Sequence, residues 1–320
     1  MKDTKVLVVG GAGFIGSHLV DAFIKERAIV TVVDNLFLGK EENLPKGIDL
    51  RKVNACNFFD MEETLQDVKP DLIYNLAVLP LPHSLEDPVA NIDCNVAMIT
   101  NLCELQREMK SFRLIHFSSS EVYGSARYAP MCEDHPLEAS TPYAASKAAG
   151  DLICMSYVRT FGSDISILRP FNNYGPKQNA ESYAGVIPLT IARLMKNESP
   201  IICGTGTQTR DYIYVEDTAR AAVMMGQRPD LKGEIINIGS GHDIQIGWLV
   251  EEIRDLYLKM SGEETWQAIA VRPERIGDVR RHLCNGLKAK DVLGFTHKIG
   301  MVEGLQKTIR WYLDQGKNNF

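Results

Sequence analysis

An α/β fold is what the sequence predicts: a doubly wound parallel sheet with a smaller C-terminal substrate-binding lobe. Three observations predict it. A short β-branched run, Lys5–Val9, leads straight into the glycine turn GGAGFIG. Similar runs recur at Ile29–Val33, 71–76, 114–118, 165–168 and Ile235–Ile238, with helical periodicity between the early ones, around 61–67 and 89–109. A third helical stretch carries Tyr143 and Lys147 four residues apart in YAASK. Alternating strand and helix units imply a parallel sheet covered on both faces, with ligands gathered at the carboxyl ends of its strands.

The first turn explains itself element by element. A strand, a tight glycine turn and a helix start aim free backbone N–H groups and a positive dipole end at a pyrophosphate. Gly10 makes the turn, Gly13 lets the backbone approach the phosphates, and Gly16 allows close helix–strand packing. Phe14 and Ile15 open the helix. The second strand ends at Asp34, followed by Asn35. A carboxylate there accepts from a ribose diol and repels a 2′-phosphate, which favours NAD over NADP. Leu76 and Ala77 end the next strand on the same edge, so they join the expected cofactor contacts. This is a Rossmann-type arrangement.

The catalytic reading starts from the helix around Tyr143, where Ala144, Ala145, Ala148 and Ala149 favour helix and no proline follows Pro142 until Pro170. Residues at i and i+4 share a face, so the Lys147 ammonium is expected near the phenol. A nearby cation lowers a tyrosine pKa, and such a phenolate takes a proton from a sugar hydroxyl near neutral pH.

Composition limits the alternatives. In 320 residues, 45% are hydrophobic and 24% charged, as in an ordinary soluble globular chain. A net charge of −6 argues against a general nucleic-acid or anionic-membrane surface. The seven dispersed cysteines show no CxxC and no metal-ligand spacing, which suggests reduced thiols and no metal. The chain enters a strand at once, without a signal segment, and no apolar run approaches the ~18 residues of a membrane span. The expectation is a cytoplasmic protein. There is no internal repeat or long linker. Residues 1–169, with about 205–238, would form the NAD-binding domain. Residues 170–204 and 239–320 would form the substrate lobe.

With these motifs quoted in order, the chain resembles the extended short-chain dehydrogenase/reductases, and among them the NAD-dependent nucleotide-sugar epimerases and dehydratases. GGAGFIG, Asp34, NLAV, Asn95 in NVAMITNL, SSSEVYG, YAASK, RPFNNYGPKQ, TRDYIYVEDTARA and RIGDVRR all occur in family order. The resemblance implies a catalytic set of Ser119, Tyr143 and Lys147. It also implies that Asn95 kinks a helix near the cofactor, and that Asn172, Arg210 and Arg275 hold a nucleotide-diphosphate sugar. Ser84 lies in the loop expected near the hexose. A homodimer built from the helices around Asn95 and Tyr143 is implied too. The family usually places an acid near the adenine, where this chain has Cys56.

Members of this family first oxidise the sugar, usually at C4. The outcome then depends on Ser120 and Glu121. A carboxylate at the position of Glu121 removes the C5 proton in 4,6-dehydratases, with Ser120 relaying a proton. The leading reading is therefore a nucleotide-sugar 4,6-dehydratase. A 4-epimerase, a UDP-glucuronate decarboxylase and an NAD-sensing regulatory protein are the alternatives. The simplest competing role for Glu121 is a carboxylate that satisfies a turn.

Overall fold

The computed structural model describes residues 1–180, 185–263, 268–274 and 279–318. In chain order, the first half contains β1 (Lys5–Val9), α1 (Phe14–Lys25), β2 (Ile29–Val33), β3 (Asp49–Arg51), α2 (Phe58–Val68), β4 (Leu72–Asn75), α3 (Leu81–Glu86), α4 (Pro88–Met109), β5 (Arg113–Phe117), α5 (Pro142–Phe161) and β6 (Ile165–Pro170). The second half adds β7 (Asn172–Tyr174), α6 (Val186–Met195), β8 (Ile201–Cys203), β9 (Thr209–Tyr214), α7 (Val215–Gly226), β10 (Ile235–Ile238) and β11 (Asp243–Gln245). It closes with α8 (Ile246–Ser261), β12 (Ala270–Arg272), α9 (Leu287–Leu293) and α10 (Met301–Asn318).

Seven strands form one sheet in the order β10-β6-β5-β4-β1-β2-β3, and every pairing in it is parallel. The strand order reverses between β1 and β4, and that switch point leaves a crevice at the carboxyl ends. Both faces are covered, which is why the central strands read as continuous apolar runs. Leu19, Val20 and Phe23 of α1 share one core with Ala219 and Ala222 of α7 and Leu293 of α9. Met61 and Leu65 of α2, Met98 and Leu102 of α4, and Cys154 of α5 build the core on the opposite face.

A second lobe has its own core, where Tyr174, Tyr212 and Tyr214 meet Ile187 and Ile191 of α6, Leu249 and Ile253 of α8, and Leu305 and Ile309 of α10. Its sheet runs β11-β9-β7, and β8 pairs with β12. The division by sequence differs here in two places. β9 falls in the expected first domain, yet it pairs with β7 and β11 in the second sheet. Conversely, Leu293 and Phe295 near the C-terminus pack into the first core. The chain crosses between the lobes more often than its motifs reveal.

Candidate active site

At the switch point a cavity of about 1100 Å³ opens between the lobes, lined by Gly10, Gly13, Phe14, Ile15, Gly16, Asp34, Asn35, Leu76, Ala77, Tyr143 and Lys147, and on the far side by Trp311 and Tyr312. The glycines are there for closeness. A Cβ on Gly10 would come within 2.6 Å of the Ala77 nitrogen, at a φ of +80°, and one on Gly16 within 2.2 Å of the Gly10 carbonyl oxygen. Gly13 precedes α1 and brings no side chain to cap it. The first-turn amides are thus left for an anion. The Asp34 carboxylate accepts from Ala12 N at 2.9 Å and Leu36 N at 2.8 Å. Each oxygen keeps a lone pair for a ribose hydroxyl. Burial raises the Asp34 pKa, and those two amides oppose the rise. A bare helix start, a cradle that side chains would fill and an acceptor carboxylate fit a dinucleotide. Cys56 also lines the cavity, with burial pushing its thiol up to about 12, so a neutral group stands at that wall.

Tyr143 lies in the first turn of α5. Thr141 caps that helix by accepting from Ala144 N at 3.2 Å, and Pro142 pre-sets the first helical φ. Ser119 hydrogen-bonds the Tyr143 hydroxyl, and its Oγ also accepts from Glu121 N at 3.2 Å. Glu121 is close enough for its charge to raise the Tyr143 pKa. Phenol, hydroxyl and carboxylate therefore converge.

The expected role of Lys147 needs correction. Its ammonium donates to the Phe117 carbonyl at 2.5 Å, and Tyr143 sits at about 12, raised chiefly by burial, with the Ser119 bond opposing and Glu121 adding. Lys147 does not lower it in this structure. Burial instead lowers Lys147 itself to about 8, against the pull of Asp151. Sharing a helix face brought the two residues into one cavity, but the lysine tip is claimed by a carbonyl.

Other expected residues take different positions. Ser84 is 1% exposed, and its hydroxyl donates to Leu81 O at 2.6 Å inside α3. It faces its own helix, while neighbouring His83 lines the cavity. Asn95 is buried in α4 and is not among the cavity walls. Its amide clamps the active-site loop, accepting from Leu79 N at 2.8 Å and donating to Ser146 Oγ at 2.9 Å. Ser120 is buried, and its Oγ lies 3.4 Å from His282 Nδ1. Asn172 and Arg210 stand on β7 and β9, outside the cavity walls; Asn172 donates to Asp211 O at 3.5 Å. Arg275 lies outside the described residues.

Sequence reasoning passed over three residues near the site. Asp151 Oδ2 accepts from Ser118 Oγ and from Arg169 Nε, each at 2.8 Å, in an ion pair whose side chains are 2% and 3% exposed. Asp151 follows Lys147 by four residues, so helical spacing could have found it. His282 arrives from far along the chain with no local signal.

The family model "NAD dependent epimerase/dehydratase family" matches residues 6–239. A Methanocaldococcus jannaschii protein provisionally named a UDP-glucose 4-epimerase is 36% identical over 98% of this chain and 99% of its own. A Streptomyces niveus dTDP-glucose 4,6-dehydratase is 32% identical over 97% and 93%. The crystal structure of DesIV, a dTDP-glucose 4,6-dehydratase from Streptomyces venezuelae with NAD and TYD bound, superposes with a TM-score of 0.89 at 29% identity, covering 98% of each chain. The chain belongs to the NAD-dependent epimerase/dehydratase family of extended short-chain dehydrogenase/reductases. It is an NAD-dependent enzyme acting on nucleotide sugars.

Proposed function

We propose that this enzyme is a nucleotide-sugar 4,6-dehydratase. The observation that carries the reading is the Glu121 carboxylate beside the Tyr143 phenol and Ser119 hydroxyl. Oxidation at C4 needs only the phenol and the hydroxyl. A carboxylate at the same centre has a use once a 4-ketone has acidified C5–H. Bound NAD supplies a hydride acceptor and, when reduced, a hydride donor, and its positive ring favours phenolate.

The residues divide the work. Tyr143 takes the C4 hydroxyl proton, and Ser119 holds the same oxygen as it becomes a carbonyl. Lys147 fixes the cofactor side of the cavity. Glu121 takes the C5 proton; the C6–O bond breaks, a C5=C6 bond forms, and the proton leaves with the C6 hydroxyl as water. C6 would then regain the hydride given up by C4, and Glu121, reprotonated from solvent, would return a proton to C5, so that the net change is loss of one water. Ser119, Tyr143, Lys147 and Glu121 are thus the proposed catalytic set, with Asn172, Arg210 and Arg275 on the diphosphate. The cofactor contacts are Gly10, Gly13, Phe14, Ile15, Gly16, Asp34, Asn35, Leu76 and Ala77.

A 4-epimerase is the second reading, favoured by the 36% identity to the Methanocaldococcus jannaschii protein. In it the ketone is reduced from its opposite face and Glu121 only shapes the turn. Chromatography coupled to mass spectrometry, after incubation with UDP-glucose, dTDP-glucose, UDP-N-acetylglucosamine and UDP-glucuronate, separates the readings. We expect loss of one water from one of them. An isomer of unchanged mass would replace the dehydratase with an epimerase, and loss of carbon dioxide from UDP-glucuronate would make the enzyme a decarboxylase.

A further inference from the structure

Behind the Ser119–Glu121 turn lies a histidine that no part of the mechanism uses. His282 is fully buried, on a segment that threads between β9 and the loop at Met131: its backbone N–H donates to Thr209 O at 3.2 Å, and Met131 bridges to Cys284. Its Nε2 is 2.7 Å from the Gly124 carbonyl oxygen. A carbonyl only accepts, so Nε2 carries the proton, and in the neutral ring Nδ1 is left as a lone pair. That lone pair faces the Ser120 hydroxyl at 3.4 Å, with Glu121 Oε1 at 3.9 Å. The charged or titratable groups facing the ring are Arg210 from β9, Glu121 from the turn and His135 from the loop before α5. Burial first, then Arg210, hold the ring at about 4, so it stays neutral through the physiological range.

We infer that His282 is a positioning residue for Glu121: by accepting from Ser120 and donating to Gly124, it ties both ends of the turn that carries the carboxylate. This deepens the dehydratase reading and rests on it. The Ser120 hydroxyl is thereby committed to Nδ1. The relay expected of Ser120 becomes a brace between the imidazole and the backbone of Glu121. The contact joins residues 162 apart in sequence, so the second lobe's strand β9 and the segment beside it govern the geometry of a base on the first.

The two ring nitrogens can be tested separately. His282→Gln can keep the donor to Gly124 but has no acceptor at the Nδ1 position. His282→Asn can put its Oδ1 there. With NAD-loaded enzyme and dTDP-glucose, UDP-glucose or UDP-N-acetylglucosamine, we expect His282→Gln to slow water loss about fivefold to tenfold, the rate equivalent of one hydrogen bond, with KM unchanged. Reduced nicotinamide should accumulate, because oxidation continues while elimination lags. His282→Asn keeps the acceptor for Ser120 but loses the donor to Gly124, so it should also slow water loss, and Ser120→Ala should add nothing to His282→Gln while still adding to His282→Asn. Additive losses for Ser120→Ala with His282→Gln, or a parental rate in both histidine variants, would overturn the inference. Nitrogen-15 histidine NMR decides the contact without turnover and keeps the inference testable if His282→Gln does not fold. The Nδ1 resonance of His282, assigned by its absence in His282→Asn, should move in Ser120→Ala. An unmoved resonance, or an Nδ1–H tautomer, refutes the brace. If no sugar loses water, the dehydratase reading fails alone, and the NMR result still decides the contact.

Discussion

At the scale of single residues, the site is an arrangement of desolvated groups more than of paired charges. Tyr143 at about 12 and Lys147 at about 8 have both moved toward their neutral forms, as burial requires. For Lys147 the folded-state value lies below the ordinary 10.5. Its buried charge therefore opposes folding at neutral pH, and that penalty is relieved as pH rises from about 8 toward 10.5. Activity that needs the ammonium should fall over the same rise. Asp151 opposes the shift, so Asp151→Asn should bring the alkaline fall of kcat to lower pH; a limb that stays in place would remove Asp151 from this role. The same change leaves Arg169 buried without its partner. It should cost about 3–5 kcal/mol of stability, measured by urea unfolding. The shared helix face of Tyr143 and Lys147 was legible from spacing. The direction of the lysine tip was not, because the Phe117 carbonyl that takes it belongs to another strand.

At the scale of elements, glycine placement and helix caps hold the site in register. Gly16 lies where α1 crosses β1, and a methyl group there would sit 2.2 Å from the Gly10 carbonyl oxygen. Gly16→Ala should push the helix start from the turn and release NAD, measured as nicotinamide recovered per mole of purified protein. Full retention would mean that the turn tolerates the shift. Thr141→Ala removes the cap of α5 and should cost about 1 kcal/mol, read by thermal unfolding. The glycine turn was visible in sequence because its residues act locally. The sheet β11-β9-β7 was not. Its two outer strands have three residues each, too short for a periodic pattern, and its pairings join segments far apart. His282 was hidden for the same reason, since only tertiary folding brings it to Ser120.

At the scale of the whole molecule, two lobes meet across one cavity. Glycines of the first lobe and Trp311 of the second line the same space. Ligands that touch both should tighten the whole chain, so saturating NAD at 100 times its Kd should add about 2.7 kcal/mol to unfolding. Helices α4 and α5 pack together yet leave Val89, Ile92, Leu152 and Phe161 exposed, a surface suited to a second copy of the chain. We expect light scattering to give twice the 35.7 kDa of one chain, and Leu152→Glu to halve it. A parent protein that already scatters as a single chain would remove that pairing.

The central claim is that Glu121 removes a proton from C5 of an oxidised sugar. Running the reaction in deuterium oxide, and locating deuterium in the product by NMR, tests it most directly. The account expects deuterium at C5 with the parent enzyme, and none with Glu121→Gln even though reduced nicotinamide still forms. A product that keeps its original hydrogen at C5, or labelling that persists without the Glu121 carboxylate, would contradict it.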